Sequence, residues 1–426
     1  MNCPYLEPGC PRDLPATAVS CPGCRRFLKA CAHCREANRA FANFCRACGG
    51  ALAAEKGNWL GYKGGVRRLG FNAAPPAYQK FDVVDTGLDV RLGDVCRSVL
   101  GYDRHLVAVS NSGTIEIADP RRPAAAQRLQ GPGPVSAEPC IDNGVLYVGS
   151  VGQVAAYSLG AMTLPAPRLR PLWRVALAGA PIQALTPLGD RLYVTVAKDA
   201  RKEVQAIDSV RGAQPNLPAT IHAARRVSWI AADAARGEAV FLSDDGGGVH
   251  VHVVSAAGME SRPVPLDAFS DHPIAFLGGR VFALFDDARV YRIDPTSGGI
   301  DEAIGVDTQL FALTHDGDGD WDRDGVQIDS GGIVFARANV RDAFSHLDRA
   351  VKGSPVIVQR RAAAVGMEDG RVLLYDLARP PMHDTWRLDG GSGAPITALA
   401  SFDSFIAAGN RDGVVAVREL RAAGTP

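Results

Sequence analysis

The sequence predicts an all-β chain: a β-propeller of seven or eight four-stranded blades, eight favoured, preceded by a small cysteine-rich module. Three observations carry this. A strand-like segment recurs at a spacing near 40 residues through most of the chain. Each copy follows a second short apolar run across a tight turn. Eight of the ten cysteines fall within the first 48 residues.

The repeat is clearest at 135–159, VSAEPCIDNGVLYVGSVGQVAAYSL. Three apolar runs, Ala137–Ile141, Val145–Ser150 and Val154–Ser158, are separated by Asp142-Asn143-Gly144 and Val151-Gly152-Gln153. Runs of this length and composition, bounded by Gly and Asn, read as strands in a meander. One meander cannot bury its faces alone, and copies packed beside it can. The third strand recurs as Thr114–Ala118, Val154–Ser158, Val204–Asp208, Val249–Val253, Val290–Asp294, Val372–Asp376 and Val414–Arg418. The second recurs as LVAVS at Leu106, LYVGS at Leu146, LYVTV at Leu192, VFLSD at Val240, VFALF at Val281, AVGME at Ala364 and IAAGN at Ile406. The step from Val290 to Val372 is 82 residues, about twice the period, and Ile333–Val340 falls near the phase of a missing copy. Fourth strands are expected at Pro171–Leu177, Arg262–Leu266 and Thr385–Leu388. Such a period marks a propeller. The last unit stops at Leu420 without room for its outermost strand, so Lys80–Val84 or Leu88–Leu92 is expected to close the ring.

Three domains follow: a metal module at 1–50, a linker at 51–79 and the propeller at 80–426. Residues 51–65 are small and glycine-rich, as flexible joins are. The chain of 426 residues carries formal net charge zero, so it is not built as a whole to bind polyanions. No stretch approaches the roughly 18 apolar residues of a membrane span. The start, MNCPYLEPGC, lacks a basic segment leading into an apolar run, and a cytoplasmic location is expected.

The module's cysteines are Cys3, Cys10, Cys21, Cys24, Cys31, Cys34, Cys45 and Cys48. Three of the four pairs are CxxC, which lets two thiolates face one ion, and four thiolates complete the tetrahedral shell of zinc. Ten residues separate Cys10 from Cys21 and Cys34 from Cys45. Two Zn2+ sites are expected, Cys3/Cys10/Cys21/Cys24 and Cys31/Cys34/Cys45/Cys48, with a cross-braced pairing as the alternative. Disulfides are the competing reading, and a reducing compartment favours metal. So small a module needs its ions as part of its folding energy. Cys31–Leu52 resembles the bacterial double zinc ribbon family, with Asn38, Phe44, Gly49 and Leu52 placed as in that family's pattern. The resemblance implies an adaptor role. Residues 1–50 carry net +4 with Phe27, Phe41 and Phe44 among them, so nucleic-acid binding there is a second reading.

The units EPCIDNGVLYVGSVGQVAAYSL, SPVIVQRRAAAVGMEDGRVLLYDL and APITALASFDSFIAAGNRDGVVAVREL resemble the pyrroloquinoline-quinone-like propeller repeat, whose grammar WD-repeat propellers share. The likeness speaks for fold and little for chemistry. Quinone redox chemistry, which the resemblance suggests, calls for calcium, the cofactor and usually adjacent cysteines. Here Cys96 and Cys140 stand apart and read as core thiols.

Two clusters remain. His250 and His252 alternate on one strand and share a face, a start for a metal site without an evident third ligand. The run HDGDGDWDRDGVQID holds Asp316, Asp318, Asp320, Asp322 and Asp324. Alternating Asp before Gly325 resembles half of a calcium loop, with Gly331 where a bidentate Glu would stand. It is a candidate Ca2+ site or a solvated acidic loop. The expected function is a non-catalytic scaffold binding one or more proteins through ribbons and propeller, with nucleic-acid recruitment second and a quinone-type redox enzyme third.

Overall fold

The computed structural model describes residues 28–30, 37–39 and, with gaps in connecting segments, 81–423. It is all-β. Eight antiparallel sheets follow one another, each built on four consecutive positions. Blade 1 comprises Cys96–Tyr102, His105–Ser110, Thr114–Asp119 and Arg122–Gln130; blade 2 comprises Cys140–Asp142, Val145–Ser150, Gln153–Ser158 and Arg170–Ala176. Blade 3 comprises Ile182–Leu188, Arg191–Lys198, Arg201–Asp208 and Ala219–Ala224. In blade 4 the first strand is split into Arg226–Val227 and Ala231–Asp233, followed by Glu238–Asp244, Val249–Ser255 and Gly258–Val264. Blade 5 comprises Ala275–Leu277, Arg280–Leu284, Arg289–Ile293 and Ile300–Gly305; blade 6 comprises Phe311–Leu313, Asp324–Asp329, Gly332–Arg337 and Val340–His346. Blade 7 comprises Val356–Val358, Ala362–Gly366, Arg371–Asp376 and His383–Arg387. Blade 8 takes Ile396–Phe402, Phe405–Asn410 and Val414–Ala422 from one end of the described chain and Phe81–Arg91 from the other.

First strands lie side by side in blades 8, 1, 2, 3, 4 and 5 in turn, and again in blades 6, 7 and 8. They form the inner wall of the ring, and fourth strands form its perimeter. The core is accordingly a set of layers between blades. Tyr147, Val154 and Val175 of blade 2 meet Ile182, Leu192 and Val194 of blade 3 in one layer. Leu242, Val251 and Val264 of blade 4 meet Phe276, Val281 and Ile293 of blade 5 in another.

The blade missing from the regular spacing is blade 6. The segment Ile333–Val340 there divides between a third strand, Gly332–Arg337, and the start of a fourth. The expected strand Ala137–Ile141 shortens to Cys140–Asp142. Pro139 has no N–H to offer a ladder, although Ser136 N–H still donates to Gly149 O (3.0 Å). The fourth strand of blade 4 runs earlier than Arg262–Leu266, at Gly258–Val264.

Aspartates ending the third strands recur for a local reason. Asp119, Asp208 and Asp294 each accept the N–H two residues on, at 2.9 Å, so the carboxylate completes the turn to the outer strand. Asp208 also accepts Arg211 N–H at 2.8 Å. Asp208→Ala should cost about 1–3 kcal/mol, since both N–H groups lose a charged acceptor. Asp208→Asn should recover about half of that, as read by urea denaturation.

The closing strand is held by Phe81↔Ala422 through Arg91↔Val414 pairing, with a bulge between Asp85 and Asp89. Thr86 Oγ1 donates to Val417 O across it (3.0 Å). From blade 1, Arg121 reaches Glu419 of blade 8 (3.2 Å) and lies over the Phe405 ring (5.2 Å to its centroid). Arg421 and Ser404 also hold Glu419. Burial works against the charged form of Glu419, but these partners hold its carboxyl below the ordinary value.

Candidate functional site

The most concentrated polar chemistry among the described side chains lies between blades 3 and 4. Pairing register builds it from two rows. Thr195, Val204 and His222 run across blade 3, and Phe241, His252 and Ser261 run across blade 4. Ser243 and His250 form the adjacent pair of the second row's sheet. Strand alternation places His250 and His252 on one face, and their ring centroids are 6.3 Å apart. That face meets blade 3, where His222 brings a third imidazole to 4.3 Å from His252. Phe241 stacks on His252 at 4.6 Å and 15° and contacts His222 at 5.5 Å.

His252 is buried, and both ring nitrogens are engaged. Nε2 shares a hydrogen bond with Ser243 Oγ and Nδ1 with Ser261 Oγ, each 2.7 Å. A neutral ring fits this pair, one nitrogen donating and the other accepting. Burial pushes the His252 pKa down to about 3, and His222 and His250 add to the effect. His222 is also pushed down, by burial first, with Asp245 opposing and Arg201 and His250 assisting. Its Nε2 is buried without a hydrogen-bond partner, as is Thr195 Oγ1. Asp245 itself is gripped by Arg201 Nη2 at 3.1 and 3.2 Å.

With both nitrogens committed, His252 has no lone pair free for a metal. Among the described residues no group of three or more His, Cys, Asp or Glu is placed to hold an ion. The third imidazole was invisible along the sequence because it belongs to another blade. Nothing in Ala219–Ala224, ATIHAA, marks His222 locally.

The eight cysteines Cys3, Cys10, Cys21, Cys24, Cys31, Cys34, Cys45 and Cys48 lie outside the described residues, as do Asp316, Asp318, Asp320 and Asp322. Two three-residue strands, Leu28–Ala30 and Ala37–Arg39, pair antiparallel on either side of the Cys31–Cys34 segment in sequence. Asp324 opens the second strand of blade 6, and Gly325 pairs with Leu313 and Ala336, so the acidic run leads into a strand at its C-terminal end. Cys96 and Cys140 are buried, without a disulfide, in the inner strands of blades 1 and 2. Burial raises the Cys96 pKa far above a reactive range, and Glu138 adds to this.

Fold and repeat together define the class: an eight-bladed, pyrroloquinoline-quinone-like β-propeller. Solved structures of that architecture superpose over most of the chain. BamB from Moraxella catarrhalis is 17% identical with a TM-score of 0.56, covering 79% of this chain and 98% of its own. A europium-containing methanol dehydrogenase is 12% identical with a TM-score of 0.59, covering 84% and 91%. The quinohemoprotein alcohol dehydrogenase from Comamonas testosteroni is 10% identical with a TM-score of 0.58, covering 86% and 81%. At these identities the likeness is one of fold alone. No protein-family model matches the sequence, and no curated protein does.

Proposed function

We propose that the chain is a non-catalytic adaptor, in which a zinc-ribbon module and the propeller each bind protein partners. The observation that carries this is the closure. Phe81–Arg91 is the outermost strand of blade 8, so the described chain enters the propeller at its perimeter. A second binding module attached there is held beside a rigid frame whose loops are free to diversify. The donor chemistry of the eight cysteines fits two Zn2+ ions, and the acidic run from Asp316 to Asp324 keeps its reading as a candidate Ca2+ loop.

The described thiols do not fit a quinone cofactor. Cys96 and Cys140 sit buried in separate blades, and no two cysteines are adjacent in the chain. No redox step is assigned on that basis. Nucleic-acid recruitment is the second reading, favoured by the net +4 of residues 1–50.

Metal analysis of reduced full-length protein should return two zinc per chain, and Cys31→Ser with Cys34→Ser should return one. Affinity capture with the full chain and with that variant tests the adaptor reading. Partners should survive nuclease and be lost, in part, with the second zinc site. Capture abolished by nuclease favours the second reading. Alcohol-dependent dye reduction on addition of pyrroloquinoline quinone and calcium would overturn the non-catalytic assignment.

A further inference from the structure

Three imidazoles, a buried unpartnered nitrogen and a buried unpartnered hydroxyl meet on one seam, and no adaptor role explains them. We infer that the seam between blades 3 and 4 is a proton-operated joint, which loosens on mild acidification while the closure between blades 8 and 1 stays intact.

The geometry sets neutral rings against each other. His222 and His252 are 4.3 Å apart, and His250 is 6.3 Å from His252. A proton on His222 or His252 places a cation beside the other ring, which then resists its own. The Phe241 face offers partial compensation to a charged His252. The surrounding charges do not complete it. Arg201 and Asp245 neutralise each other across the seam. Lys202, on the same strand face as Val204, donates to Val227 O of blade 4 (3.5 Å). Tyr193 shares the face, and burial raises its pKa, so it stays neutral. Glu203 and Glu260 fall on the opposite faces of their strands. Glu203 accepts from Gln205 (2.9 Å) and Thr220 (3.2 Å), and Glu260 pairs with Arg262 (3.0 Å).

The sign follows from the buried neutral rings. The folded state binds protons less readily than the unfolded one, so the seam's contribution is complete above the ordinary histidine value of 6.5. It is lost progressively as pH falls below that, down to about 3 for His252. The closure obeys the opposite kind of group. Glu419, held below its ordinary 4.5, keeps its contribution until pH falls beneath that value. Between the two windows His222 and His252 respond and Glu419 does not.

Hydrogen exchange on the full chain, followed by mass spectrometry and corrected for intrinsic rates, tests this at about pH 7.5 and about pH 5.5. Peptides covering 219–224 and 238–255 should lose about tenfold in protection, the worth of one pKa unit. Peptides covering 96–119 and 405–422 should change less than about twofold. Equal loss in both sets overturns the inference. His222→Phe, which keeps the ring packing and removes one of the bases, should reduce the difference, with the buried His252 still responding. An undiminished pH response in that variant also overturns it. Should the variant not fold, the comparison of the two seams in the unaltered chain decides alone.

Discussion

A chain that begins at residue 92 is expected to lose the closed ring, whereas one that begins at residue 80 should melt as the full propeller does. Phe81–Arg91 supplies the fourth strand of blade 8. Removing it exposes the Val414–Ala422 ladder as an open edge, a template for aggregation. It also removes Leu88 and Val90, and Leu92 becomes a fraying terminus, all three buried at 4% exposure or less. At about 1.5–3 kcal/mol for each such side chain, the loss is comparable with the whole stability of an ordinary domain. Circular dichroism melts and size-exclusion chromatography of the two truncated chains check this. A cooperative melt of the shorter chain within a few degrees of the longer one would show that the ring does not depend on its closing strand.

Gly101→Val should be strongly damaging where blade 1 meets blade 8. Gly101 lies in the inner strand of blade 1, and a Cβ there would overlap the Phe402 ring in the inner strand of blade 8. Phe402 is fully buried and cannot swing into solvent. The blades must separate or the ring must leave its rotamer, costing about 1–3 kcal/mol or more. Phe402→Ala alone should cost about 3–5 kcal/mol through the cavity it leaves. Combined, the two substitutions should cost clearly less than their sum, because the valine fills space that the ring vacated. Additive losses in denaturant titrations would mean that Gly101 and Phe402 do not compete for one volume. Gly409 stands in the same relation to Cys96, so the glycine of IAAGN also marks where blade 8 touches blade 1.

The repeat was legible because each blade is assembled from neighbours in sequence. Hairpin turns and strand ends report themselves in Gly, Asn and Asp, and these reflect local backbone needs, as the Asp208 turn shows. Blade 6 was fainter, since a long insertion separates its first strand, Phe311–Leu313, from its second, Asp324–Asp329. Pro139 shifted a strand boundary that an apolar count had placed too early. The candidate site was half legible. Alternation put His250 and His252 on one face, but His222 joined them only across a seam, and no pattern within its own strand announces that.

What the amino-acid sequence determined by itself was the unit: strand, tight turn, strand, repeated at a spacing near 40 residues, because those choices rest on contacts between residues close in the chain. What only the tertiary structure decided was which faces meet. Sheets stacked around an axis bring together residues that sequence holds apart, so the imidazole cluster exists only once blades 3 and 4 pack face to face, and the Gly101–Phe402 contact only once the ring has closed.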